Sequence, residues 1–153
     1  MSTSEIDNKY MNMAIKQAQI ASDLGEVPVG AILLINNEVI ASDHNRLISN
    51  SDPTSHAEIN VLRSAGKKIN NYRLTGSILY VTLEPCAMCF GAIVHSRVKK
   101  IIYGAKDLKS GVCGSHINIA DSIYFNHKPE IKGGVLAEEC SQILKDFFKT
   151  KRS

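Results

Sequence analysis

The sequence has no apolar run long enough to cross a bilayer. The longest run near a glycine is AILLI at 31–35, against the roughly 20 residues a spanning helix needs. The opening stretch, MSTSEIDNKY, is polar and lacks the apolar core of a secretory signal. A cytoplasmic protein with no membrane partner is therefore the expectation. No linker, repeat or low-complexity segment interrupts the 153 residues, so the chain is read as one domain, 1–153. Neither sign of charge dominates: 18 Lys and Arg stand against 15 Asp and Glu, a net charge of +3. That balance permits an anionic partner without demanding one.

Cysteine is scarce as well. The four thiols are Cys86, Cys89, Cys113 and Cys140. In a reducing compartment they stay free, which excludes a disulfide scaffold. A closed structural zinc site commonly uses a second close pair, and Cys113 and Cys140 do not form one. The pair Cys86 and Cys89 then reads as a metal or a redox site.

What is present is an alternation of strand and helix patterns. Tyr10, Met13, Ala14, Ala18 and Ala21 recur at helical spacing, predicting an amphipathic helix over 7–24 that ends before Gly25. VGAILLIN is a buried strand, Asn36-Asn37 a turn and EVIAS the returning strand, followed by a polar loop over 43–54. A second helix is expected over 55–65, closed by Gly66 and burying Ala57, Val61, Leu62 and Ala65. SILYVTL reads as a strand, CAMCFGAIVHS as a helix and VKKIIYGA as a strand. Residues 106–129 are mostly loop, with room for one short helix, and EIKGG is a short edge strand. A last helix over 135–150 buries Leu136, Cys140, Ile143 and Phe147. Strands alternating with helices give an α/β protein, one sheet covered by helices.

The close thiol pair follows Glu-Pro at a strand-to-helix handover, in TLEPCAMCFGA. The redox reading expects such a pair after the first strand of a thioredoxin-like unit, whereas this one follows a third. A second motif, PTSHAEI, puts His56 and Glu58 at the start of the second helix. His-x-Glu followed later by Pro-Cys-x-x-Cys resembles the signature of zinc deaminases acting on nucleobases. His56, Cys86 and Cys89 make three ligands, leaving a fourth position for water, as a catalytic zinc requires. Residues two apart do not share a helix face, so His56 and Glu58 reach one site only if it lies off the helix N-terminus. The thiols at the next helix start obey the same geometry, and helix N-termini favour thiolate. Glu58 is then the general base, a role worth typically about 10²–10⁴-fold. A lone histidine at a helix start is more often a cap, and a lone Cys-x-x-Cys is weak. The two motifs together carry the reading.

Over nearly its whole length the chain resembles the bacterial tRNA-specific adenosine deaminases of the cytidine deaminase-like superfamily. The resemblance rests on EVPVGAIL, HNR, DPTSHAEI, NYRLTG, LYVTLEPCAMCFGAIVHSR, YGAKDLKSG and GVLAEECSQILKDFF; FNH at 125–127 departs from the family's MNH. It implies a three-layer α/β/α sandwich around a five-stranded mixed sheet, and a homodimer with its active site near the interface. It implies one Zn2+ per subunit and a tRNA anticodon stem-loop as partner, with wobble adenosine converted to inosine, typically in an arginine tRNA. Position by position, His56, Cys86 and Cys89 match the zinc ligands and Glu58 the proton shuttle. Asn45 matches the residue that bonds the flipped base. The Ala57 N–H is expected to face the zinc-bound oxygen, Val29 and Leu83 to wall the pocket, and Asp107 to lie near the bound nucleotides. Phe147 and Phe148, beside Lys145, Lys149, Lys151 and Arg152, are expected to meet the anticodon strand. Without the resemblance, Asn45 is a turn residue, Val29 and Leu83 are core, Asp107 is a solvated charge, and the basic tail caps its helix. Two rivals remain: a small-molecule deaminase for guanine or cytosine on the same fold, and an RNA-binding module with structural zinc, which would not require Glu58.

Overall fold

Alternate residues of the strands face opposite ways, and each face meets a different pair of helices. The computed structural model describes residues 1–121 and 125–152, Arg152 in its backbone alone; the Arg152 side chain, counted among the C-terminal cations, lies outside the described residues. The elements run α1 (Thr3–Asp23), β1 (Gly30–Ile35), β2 (Glu38–His44), α2 (Ala57–Ile69), β3 (Ile78–Leu83), α3 (Ala87–His95), β4 (Lys100–Ala105), β5 (Glu130–Lys132) and α4 (Ala137–Arg152). The strands form one sheet in the order β2-β1-β3-β4-β5. β1 is antiparallel to β2 and β3, while β3, β4 and β5 are parallel. The mixed five-stranded sheet is the one expected.

Ala31, Leu33, Leu79, Val81, Ile101 and Tyr103 pack against Val61, Leu62 and Ala65 of α2 and Phe90 and Ile93 of α3. Ile32, Leu34, Tyr80 and Ile102, one residue out of phase, pack against Met11, Ala14 and Ile15 of α1 and Cys140 of α4. This period of two is what a sheet buried on both faces requires, and it makes the three layers α/β/α. Two glycines let the outer layer lie flush. A Cβ at Gly30 would strike the Ala14 carbonyl, and one at Gly104 the Cys140 sulfur. Asn36 and Asn37 take φ of 51° and 63°, the two left-handed positions of a tight hairpin turn.

Element ends depart from the sequence reading for local reasons. α1 starts at Thr3 rather than 7 because the Ser2 hydroxyl accepts from the Glu5 N–H at 3.1 Å, an N-cap bond. Its deepest residues include Met11, whereas Tyr10 and Met13 are half-buried. α2 does not stop at Gly66; it runs to Ile69 and ends on Asn70, which is left-handed (φ 55°, ψ 44°). Asparagine tolerates that cap. No helix occurs among the described residues of 106–129. α4 begins at Ala137, so Leu136 precedes it, with φ of 51°.

Candidate active site

Both motif helices begin at the carboxyl side of the sheet. His56 is the N-cap of α2 and Cys86 the N-cap of α3, each extended (φ −67°, ψ 155°; φ −82°, ψ 175°), and neither side chain caps its own helix. Their heads are turned toward each other. The Sγ atoms of Cys86 and Cys89 lie 3.7 and 3.4 Å from His56 Nδ1, and the three donors fall within 4.8 Å of one another. Donors bound tetrahedrally at zinc distances stand about 3.5 Å apart, so this set fits zinc.

The three side chains perturb one another's protonation. A hydrogen bond from Cys89, with another from His56, pulls the Cys86 thiol down to about 4. Donating that bond, together with burial, pushes the Cys89 thiol up. Hydrogen bonding to Cys86 raises His56. Without an ion the pair of sulfurs thus shares one negative charge. Glu58 is 4% exposed, and burial pushes its carboxyl up to about 7, the range of a working general base.

His56, Glu58 and Cys86 open onto a cavity of about 360 Å³ whose lining also includes Val29, Asn45, Leu83 and Asp107. Cys89 sits behind it, fully buried. A larger groove of about 740 Å³ lies between α2 and α3 and holds none of these residues; the chemistry follows the donors, not the volume. Asn45 follows β2. Its N–H donates to Val29 O at 3.1 Å, and its side-chain Oδ1 accepts from the Ala57 N–H at 2.8 Å. In this structure the Ala57 N–H is therefore bonded to Asn45. The Asp107 carboxylate accepts from the N–H groups of Lys109 and Ser110, at 3.1 Å each. Phe147 and Phe148 do not line the cavity. They pair edge to face 5.4 Å apart, with Lys151 Nζ 5.5 Å from the Phe147 centroid. Phe147 is half-buried and Phe148 exposed.

Residues 5–152 match the MafB19-like deaminase family. A tRNA-specific adenosine deaminase of Haemophilus influenzae is 51% identical over 150 residues, covering 97% of this chain and 87% of that protein. One from Bacillus subtilis is 47% identical, covering 95% and 91%. The chain belongs to the tRNA-specific adenosine deaminase family. A solved structure from work on A-to-I editing by tRNA:A34 deaminases at the wobble position of transfer RNA is 39% identical, with a TM-score of 0.87, covering 89% of this chain and 99% of that one. A guanine deaminase from Nitrosomonas europaea, 20% identical with a TM-score of 0.79 and coverage of 92% and 83%, shares the fold. The protein is an enzyme of the deaminase class. Among the described residues, no helix is long and apolar enough to cross a membrane.

Three residues that shape this deaminase site escaped the sequence reading. Glu26, in the turn before β1, accepts from Ile48 N, Ser49 N and Ser49 Oγ at 2.7–3.0 Å. Glu84, after β3, accepts from the N–H groups of Asp107, Cys113 and Ser115 and from the Ser115 hydroxyl. Each buried carboxylate ties down one loop beside the cavity. Asn60 donates to the carbonyls of His44 and Ser55, and its Oδ1 accepts from the Ser55 hydroxyl. That ladder holds the Asn45 segment against the start of α2. The available signal was the setting of the two glutamates, each beside apolar residues and a proline in EVPVG and TLEPC. A carboxylate in such surroundings needs buried donors.

Proposed function

We propose that this chain, as one domain over 1–153, hydrolytically deaminates adenosine to inosine at the wobble position of a tRNA anticodon, in an arginine tRNA. Its zinc, one per subunit, would be held by His56, Cys86 and Cys89. The observation that carries the reading is the gathering of those three donors beside a buried Glu58 at the cavity wall. Zinc bound there supplies an electrophilic centre that makes water acidic, to a pKa of about 7 in well-known sites.

The chain's own groups do the rest. The Glu58 carboxylate takes a proton from water, and the oxygen adds to the amine-bearing ring carbon. Glu58 hands that proton to the adjacent ring nitrogen and then moves a proton to the departing amine. The C–N bond breaks and ammonia leaves. Asn45 uses its remaining amide hydrogens on the base, and Val29 and Leu83 hold the ring between apolar walls while excluding water. Asp107 borders the neighbouring nucleotides. Phe147, Phe148, Lys149 and Lys151 meet the anticodon strand by stacking and phosphate contact.

The enzyme works in the cytoplasm as a homodimer. Met88 and Ala87 are exposed on α3 beside the groove lined by Ile59, Leu62 and Ala92, an apolar face that a second copy would cover. Incubation of the purified protein with total tRNA should yield inosine by nucleoside analysis, and chelation should abolish the gain. Release of ammonia from free guanine or cytosine, with no inosine in tRNA, would replace this reading with a small-molecule deaminase.

A further inference from the structure

The turn after α3 breaks a local rule. Val98 N–H bonds Ile93 O and Arg97 N–H bonds Val94 O, the pair of bonds that closes a helix on a left-handed residue, where glycine is preferred. The residue there is Arg97, with φ of 62°. A non-glycine residue in that conformation carries backbone strain, about 1 kcal/mol or more. Its side chain lines a cavity of about 390 Å³ together with Arg73, Lys99 and His127, and no carboxylate is among the lining residues. Among the described residues, no ion pair involves Arg73, Arg97 or Lys99. The cluster is pre-set without being neutralised. Arg73 Nε donates to the Tyr72 hydroxyl at 3.3 Å, and its guanidinium carbon lies 5.6 Å from that ring's centroid. His127 Nε2 is 2.6 Å from Val98 O; a carbonyl only accepts, so Nε2 carries the proton and the ring is fixed.

Resting on the tRNA reading above, we propose that this cluster is a second RNA contact, which grips backbone phosphates far from the reacting nucleotide. Arg73 precedes β3, and Arg97 and Lys99 precede β4, whereas the catalytic cavity lies beyond the other ends of these strands. Six residues of strand separate the two by about 20 Å. The rim is open and its lysine and Arg73 are exposed, which suits a phosphate backbone laid across it rather than a small anion enclosed in it. Uncompensated cations around one hollow repel each other, and a polyanion relieves that repulsion while releasing its own counterions.

The test uses Arg97→Gly, Lys99→Gln and the double variant. Glycine suits φ of 62°, so Arg97→Gly removes the charge while keeping or raising thermal stability; a purely structural Arg97 would not behave so. Affinity for tRNA is measured across salt concentrations. Each single change should lower the magnitude of the log–log salt slope by about 1, and the double variant should bind about tenfold more weakly at about 0.1 M salt. Inosine formation at saturating tRNA should match wild type. An unchanged slope and affinity in a stable double variant would overturn the proposal. So would tight binding of inorganic phosphate at the cluster that leaves tRNA affinity untouched. Wild-type inosine formation is scored on the same preparation: its absence removes the activity reading, while the slope comparison still decides the surface.

Discussion

Glu58 lines the cavity, and Glu26 accepts from the N–H of another lining residue, Ile48; the two are almost equally buried, at 4% and 1% exposure, yet their carboxyls are displaced in opposite directions. Burial acts to raise both. In Glu26 it is overcome by hydrogen bonds from Ser49 and Ile48, which hold the carboxyl below its ordinary 4.5. In Glu58 burial is not overcome, despite its own N–H and the His56 charge, and the carboxyl rises to about 7. Depth alone does not separate a structural carboxylate from a chemical one. The supply of donors does.

The largest effect that can test this contrast is on turnover. Glu58→Gln keeps shape and removes the base, so inosine formation should fall by about 10²–10⁴-fold, while zinc content and the folded state stay near wild type. Metal and rate measured on one sample decide it; loss of zinc, or a near-normal rate, would sink the assignment. Next in size is Glu26→Gln. The amide offers N–H where a backbone N–H or the Ser49 hydroxyl needs an acceptor, which should destabilise by about 2–3 kcal/mol and loosen the loop over 46–50. KM should rise more than kcat falls. A fall confined to kcat would make Glu26 part of the chemistry and erase the distinction.

The smallest effect is one of sign, read by urea unfolding of metal-stripped protein across pH. For Glu58 the folded value exceeds the unfolded one. Its contribution to stability therefore declines as pH rises from about 4.5 through about 7. Glu58→Gln should be more stable than wild type above that window, with the gain fading below it. For Glu26 the folded value is the lower. Its contribution is full above about 4.5 and is lost as pH falls through the folded value. The Glu26→Gln deficit should thus be largest near neutrality and shrink in acid. Parallel pH profiles for the two variants would refute the contrast.

The sequence carried the architecture because its signals are local. Alternating apolar residues in GAILLI and ILYVTL, the Asn36-Asn37 turn and the stripe Ala57, Val61, Leu62, Ala65 each announce themselves within a few positions. The grouping of His56, Cys86 and Cys89 beside Glu58 was legible for the same reason, since two short motifs contain these residues. Val29, Leu83, Asn45 and Asp107, placed by resemblance, do meet His56 and Glu58 around one cavity. Glu26, Glu84 and Asn60 were not legible, because their roles depend on donors and acceptors brought in by tertiary structure: Glu26 is met by a loop 22 residues on, Glu84 by one 23–31 residues on, and Asn60 by the His44 carbonyl 16 residues back. Helix ends were misjudged where a cap overrode composition, as at Ser2 and Asn70.

The bond from the Ala57 N–H to Asn45 Oδ1 also anchors one wall of the cavity. The peptide it uses belongs to the first turn of α2, one residue after His56 and one before Glu58. The loop leaving β2 is thereby pinned to the same turn that carries those two side chains. Displacement of that helix start would carry Asn45 with it, so wall and chemistry keep register as a single piece.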